Sequence, residues 1–225
     1  MILKNNVGII IPAYNESSTI NKVISESLHY GRVIVVNDGS TDKTRNISES
    51  SGAIVISHSV NKGYDQSILT GINKALKMGL EYAITIDADG QHNIKDLSLI
   101  LKMFNKDNYD MVIGIRKKPA RFAEFLFNCY IKLKYNVHDI LCGLKGYKLE
   151  KIKNINFNKQ AENSVGTEIP LVFLRSKHKV GELPIEINMR IGESKYGRLI
   201  KSNAMIISAL VKVIRHDFVK LLRGS

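Results

Sequence analysis

The 225-residue chain predicts an α/β fold with a mostly parallel central sheet flanked by helices. Short apolar runs rich in Val and Ile alternate with longer segments of helical period, which is the pattern of successive βαβ units. The 44% apolar and 24% charged composition is that of a globular domain with a sizeable core, and it excludes disorder and disulfide scaffolds. The length suits one α/β domain with an appendage better than two domains.

The periodicity places strands over 7–11, 32–36, 53–56, 82–86 and 111–115. Helices fall over 18–28, 43–50, 65–78 and 95–104, with Ser17 or Ser18, Asp42 and Asn93 standing where N-caps belong. Beyond residue 120 the alternation loosens into a helix over 122–134, a glycine-containing loop around Gly143 and a strand over 185–189. Residues 1–200 are read as one domain. The stretch 201–225 has apolar residues at Met205, Ile206, Ala209, Leu210, Val213 and Ile214 beside Lys212, Arg215 and Lys220. That spacing makes a basic amphipathic helix, packed on the domain or lying at an anionic membrane surface. The two cysteines, Cys129 and Cys142, lack metal-ligand spacing and read as reduced packing thiols.

The formal charge of +12 calls for a negatively charged partner, and nucleic acid, anionic lipid and phosphorylated substrates all qualify. No nucleic-acid motif or aromatic-and-basic strand pattern supports the first. No apolar signal core follows Met1 and no uncharged run approaches about 18 residues, so the expectation is a cytoplasmic protein, in solution or peripheral on the cytoplasmic face of a membrane.

In an open parallel sheet, ligands bind beyond the carboxyl ends of the strands. The first strand runs into Pro12-Ala13-Tyr14-Asn15-Glu16 and the second into Asn37-Asp38-Gly39-Ser40. Neither the dinucleotide glycine fingerprint nor the phosphate-loop lysine motif is present. The fourth strand ends in Asp87-Ala88-Asp89-Gly90-Gln91-His92. Two carboxylates so close to a buried strand need a compensating charge, and a hard divalent ion such as Mg2+ or Mn2+, completed by diphosphate oxygens, supplies it. The same residues also suit a plain turn with capping aspartates.

The segments VGIIIPAYNES, VIVVNDGSTDKT, NKGYDQSILTGI and TIDADGQH, in this order, resemble the nucleotide-sugar half of glycosyltransferase family 2, whose GT-A fold is Rossmann-like. The resemblance implies that Pro12, Ala13, Tyr14 and Glu16 line the base and ribose pocket and that Asp38 contacts base or ribose. It implies that Asp87 and Asp89 hold the metal and the diphosphate, with Asp89 in the catalytic set and Gln91 close by. HDILCGLKGY, RIGESKYG and Gly114-Ile115-Arg116 resemble the polyprenyl-phosphate branch, typified by dolichol-phosphate mannosyltransferase.

In that branch Arg190, Lys195 and Ser194 suit phosphate oxygens, with ordinary surface charge as the alternative. Arg116 faces the site or makes a salt bridge. Asp139 orients or deprotonates the acceptor or caps its loop, Glu168 is a second base candidate, and His92 and His138 read as hydrogen-bonding loop residues. The resemblance implies an inverting enzyme that moves a hexose from a UDP- or GDP-sugar to a polyprenyl phosphate. Transfer to a hydroxyl of a glycan, lipid or protein is the alternative. The missing tryptophan speaks against the processive, polymer-forming members, whose motif contains one. The sequence leaves open whether the protein is a homo-oligomer.

Overall fold

The structure, a computed structural model, describes residues 2–119, 121–153, 166–188 and 199–222. Seven strands form one sheet: β1 (Val7–Ala13), β2 (Arg32–Asn37), β3 (Ile54–Ser57), β4 (Tyr82–Thr85), β5 (Met111–Arg116), β6 (Lys145–Lys148) and β7 (Val180–Ile185). Their order across the sheet is β3-β2-β1-β4-β6-β5-β7, and only β6 runs antiparallel to its neighbours. The helices are α1 (Ile20–Ser27), α2 (Thr44–Ser50), α3 (Tyr64–Lys77), α4 (Asp96–Asp107), α5 (Phe122–Tyr135), α6 (Glu168–Arg175) and α7 (Leu199–Leu222).

Every residue of β1 is buried, because the strand is covered on both faces. Ile10 packs into the layer formed with α3, α5, α6 and α7, whereas Ile9 and Ile11 pack into the layer formed with α1 and α4. This two-sided burial is why the first strands read as unbroken runs of Val and Ile. It also aligns the carboxyl ends of β1, β2 and β4, with Ala13 opposite Asn37 and Ile10 opposite Thr85.

The predicted strands of the first half are all present, and β1, β2 and β5 extend further toward the site than the apolar runs did. Asp42 and Asn93 accept from the amides of Thr44 and Lys95, two residues on, just before α2 and α4 begin. The expectation of a strand over 185–189 is corrected. The strand is Val180–Ile185, and only an isolated bridge from Ile187 to His92 follows among the described residues. Gly181, Glu182 and Pro184 disguised it, and proline is tolerated there because β7 is the edge of the sheet. β6 went unread because Lys-Gly-Tyr-Lys has no apolar run, although all four residues are buried.

Helix α7 packs its inner face, including Ile206, Ala209, Leu210 and Val213, into the core. Asp217 fastens it: Tyr130 and Tyr135 hydroxyls donate to Oδ2, and Arg175 and Lys134 pair with the same carboxylate. Among the described residues no helix is long and apolar enough to cross a membrane. Both cysteines are free, and burial pushes the Cys142 thiol up to about 12, which makes it a packing group.

Candidate active site

The loops after β1 and β2 are tied to each other. Asn15 takes the left-handed conformation and its side-chain oxygen accepts from the Thr41 amide at 2.8 Å, while its own amide donates to Ser40 Oγ. Ser17 and Thr44 donate to Asp42. Burial alone would raise that carboxyl, but these bonds outweigh it and hold it at about 2. Pro12 and Ala13 end β1, Tyr14 is exposed beyond them, and Glu16 is buried with Thr19 Oγ1 donating to its Oε2.

Asp38 is buried at the end of β2. Its Oδ1 accepts from His58 Nδ1 at 2.7 Å and the Lys62 amide at 2.8 Å, and its Oδ2 accepts from the Gly63 amide. Asp38 therefore shapes the Lys62–Gly63 turn that opens α3, whose next residue, Tyr64, reaches the fourth strand.

There the Tyr64 hydroxyl donates to Asp87 Oδ1 at 3.2 Å, and His92 Nε2 donates to Asp87 Oδ2 at 3.1 Å. Asp87 is 32% exposed at its side chain. Burial works to raise its pKa, but His92, the nearby Lys145 cation and Tyr64 prevail and lower it. Thr85 donates to the Gly143 carbonyl, and a side chain at Gly143 would collide with both oxygens of Asp87, so glycine there makes room for the carboxylate. Asp89 is buried and accepts from the Gln91 amide across Gly90, whose φ of 74° closes the turn. Gln91 is in turn held to Asn188.

Each oxygen of Asp87 keeps a lone pair beyond its one protein donor. Two carboxylates on one turn, Asp87 partly open to solvent and Asp89 buried, fit an oxygen-preferring divalent ion that takes its other ligands from water and a diphosphate. Among the described residues no cluster of three or more His, Cys, Asp or Glu is placed to hold a metal by itself. Asp87 and Asp89 would then bind the ion chiefly together with the phosphates.

On the other side of β6, Arg116 forms a two-pronged pair with Asp139, Nε to Oδ2 at 2.7 Å and an Nη to Oδ1 at 2.9 Å, and also pairs with Glu124. Asn128 adds a further bond to Asp139, and the Arg116 amide another. Burial works to raise Asp139, but Arg116 outweighs it and holds the carboxyl below its ordinary range. A carboxylate so engaged is a weak proton acceptor. Of the three roles expected of Asp139, this geometry suits orientation through Arg116 or a hold on its own loop.

Lys145, buried on β6, lies between these groups. Desolvation lowers its pKa while Cys142, Asp139 and Asp87 oppose the fall, and its Nζ donates to the Gly166 carbonyl. Glu168 begins α6, with burial and then Asp65 pushing its carboxyl up to about 7. Neither oxygen has a hydrogen-bond partner among the described residues. His138 pairs instead with Glu182 away from this cluster. Arg190, Ser194 and Lys195 lie outside the described residues.

The family model described as Glycosyl transferase family 2 matches residues 8–155, from β1 through the Asp87–Asp89 turn to β6. The chain belongs to glycosyltransferase family 2. It is 33% identical to an uncharacterised protein of Methanocaldococcus jannaschii over 82% of each chain. It is 28% identical to a UDP-N-acetylglucosamine–dolichyl-phosphate N-acetylglucosaminyltransferase of Methanococcus voltae, over 80% of this chain and 84% of that one. Among solved structures, glucosyl-3-phosphoglycerate synthase of Mycobacterium tuberculosis, in complex with Mn2+, UDP and its glucosylated product, superposes with a TM-score of 0.75 at 16% identity. The match covers 94% of this chain and 79% of that one, and it establishes the GT-A fold.

Within this family 2 site His92 is the hydrogen-bonding loop residue expected of it, whereas Tyr64, His58 and Lys145 were missed as site-builders. Tyr64 and Lys145 lie inside NKGYDQSILTGI and HDILCGLKGY, so the motifs had marked the segments. What the motifs lacked was any sign that a hydroxyl and a buried ammonium would converge on Asp87.

Proposed function

We propose that this chain is an inverting glycosyltransferase that moves a hexose from a nucleoside diphosphate sugar to a polyprenyl phosphate, working at the cytoplasmic face of a membrane. The observation that carries this reading is the Asp87–Asp89 turn at the end of β4, where Asp87 is held ionised by His92, Lys145 and Tyr64 with a third of its side chain exposed and Asp89 stands two residues on. The dolichyl-phosphate relative and the GT-A neighbour holding Mn2+ and UDP support the donor and acceptor classes.

Asp87 and Asp89 would hold Mg2+ or Mn2+ against the donor's phosphates. The ion supplies positive charge where the departing diphosphate gains negative charge. Tyr64 and His92 hold Asp87 at its two oxygens, and Asp38 sets the turn bearing Tyr64. Pro12, Ala13, Tyr14 and Glu16 border the nucleoside. Arg116, fixed by Asp139, stands on the acceptor side with Lys145, and Arg190, Ser194 and Lys195 add donors for the acceptor phosphate. A phosphate acceptor is largely ionised near neutral pH and needs no strong base, which agrees with the low basicity of Asp139.

The test is incubation with UDP- and GDP-hexoses, Mn2+ or Mg2+, and a polyprenyl phosphate, reading nucleoside diphosphate release and lipid-linked sugar, with the product's anomeric configuration by NMR. A lipid-linked sugar of inverted configuration is the expected product. Binding of no activated sugar by well-folded protein, with or without metal, overturns the reading. A second reading, transfer to a hydroxyl, is favoured only by Glu168, whose pKa of about 7 suits a base for such an acceptor. Sugar transferred to soluble alcohols and not to prenyl phosphates would select it.

A further inference from the structure

Helix α5 is apolar on two opposite faces. Ala123, Phe127 and Ile131 enter the core. The reverse face carries Phe122, Phe125, Leu126, Cys129 and Leu133, at the spacing of a single helical stripe. Phe122 is 71% exposed and Leu133 89%.

Helix α7 runs alongside α5 in the same direction. The Ala123 amide donates to Asn203 near one end, and Tyr130 and Tyr135 donate to Asp217 near the other. Asn203 and Asp217 thus mark the side of α7 that meets α5. At about 100° per residue, Ile207, Val211, Ile214 and Phe218 form the next row outward on that side. Val211 is 57% and Phe218 58% exposed, so the two stripes adjoin as one apolar surface.

The exposed charges of the two helices share one sign. The only acids on the two helices, Glu124 and Asp217, are buried and paired, Asp217 with Arg175 and Lys134, whereas Lys132, Lys212, Arg215 and Lys220 are exposed. A second copy of a chain carrying +12 would bring like charge against like charge around the apolar centre. An anionic bilayer complements both features, taking the apolar side chains below its headgroups and the cations among them.

We propose that the outward faces of α5 and α7 form one surface that seats in an anionic membrane. Phe122 opens α5 shortly after Arg116 at the carboxyl end of β5, so this surface borders the acceptor side of the site. The assignment deepens the reading of the acceptor as a lipid phosphate and rests on it for its purpose, though not for its test.

The test is flotation with vesicles of phosphatidylcholine containing phosphatidylglycerol, against phosphatidylcholine alone. The native chain is expected to float with the anionic vesicles. The triple variant Phe125→Ser/Leu133→Ser/Phe218→Ser is expected to bind at least about tenfold more weakly, with its melting temperature preserved because the three side chains are exposed. Since the chain has no tryptophan, Leu133→Trp makes a single reporter, whose emission shifts to the blue on anionic vesicles and is quenched by brominated lipid. Equal flotation of the triple variant, an unshifted reporter, or a lipid-free dimer that the triple variant converts to monomer each overturns the proposal. Transfer to a short, water-soluble prenyl phosphate is measured in parallel, and the triple variant should keep it. Vesicle binding without any transfer sinks the catalytic reading alone, and transfer without vesicle binding sinks the surface alone.

Discussion

Asp87 and Asp139 stand on either side of β6, each a carboxylate whose pKa the protein lowers, yet they are held in opposite ways. Asp87 is kept ionised by a phenol, an imidazole and a nearby ammonium, and a third of its side chain faces outward. Asp139 is only 4% exposed at its side chain and is occupied by a two-pronged guanidinium, an amide side chain and a backbone N–H. A depressed pKa is therefore no guide to chemistry by itself. What separates a group offered to a ligand from a group that serves the architecture is which lone pairs are left and where they point.

The sharpest way to break this contrast is to remove a carboxylate from the offered side. Asp89→Ala is expected to lower kcat/KM by about a hundredfold to a thousandfold, the scale of deleting one group aimed at developing charge. Mn2+ titrations in the presence of nucleoside diphosphate should weaken in parallel while the melting temperature moves little. Removing the occupied carboxylate should do the reverse. Asp139→Ala takes the two-pronged partner from buried Arg116 and leaves it Glu124 alone, and it is expected to cost about 3 kcal/mol in urea unfolding. The double change Arg116→Met/Asp139→Leu should recover much of that loss. The sign with pH follows from the lowered pKa: the Asp139 contribution is present above the carboxyl's unfolded value and is lost as pH falls through the folded one. Turnover that instead vanished in a fully stable Asp139→Asn would make Asp139 the base and erase the distinction.

The two sides also differed in how far the sequence revealed them. The Asp87 side was legible because β1, β2 and β4 are buried on both faces, so each reads as an apolar run and its terminating polar residues stand out. Asp38, Asp87 and Asp89 could be found that way. On the Asp139 side β6 is four residues with two buried lysines, and β7 carries a glycine and a proline, so neither shows the period of a strand. Arg116 and Asp139 lie far apart in the chain, and nothing in their spacing tells that they meet. Pairing across a sheet is set by tertiary register, which periodicity does not encode.

Glu168 sharpens the comparison as a third kind of carboxylate, with neither a cation nor a hydrogen-bond donor on its oxygens among the described residues. Its pKa of about 7 lies above the unfolded value, so the folded state favours the proton. Stability from this group is full below the unfolded value near 4.5, declines as pH rises toward 7, and stays lost above it. Glu168→Gln, neutral throughout, is expected to match the native chain at pH 4 and to exceed it at pH 8 by up to about 3 kcal/mol in urea unfolding. Equal stability of the two at pH 8 would mean that the carboxylate has found a partner.

The smallest change tests how Asp87 is offered. Tyr64→Phe deletes one hydroxyl and leaves the ring, so packing against Gly166 and the start of α3 should hold, and unfolding should shift by at most about 1 kcal/mol. The lost hydrogen bond frees Asp87 Oδ1 to rotate about its remaining anchor, His92. Outer-shell partners of metal-binding carboxylates usually matter by about tenfold to a hundredfold. Because His92 still fixes the other oxygen, the lower figure is expected here, about tenfold weaker Mn2+ binding measured with nucleoside diphosphate present. The loss should be the same at pH 6 and pH 8, since a carboxyl with a lowered pKa stays ionised across that range. An effect as large as that of Asp89→Ala would mean that the Tyr64 hydroxyl contacts the donor directly, which would move Tyr64 from support of the site into its binding surface.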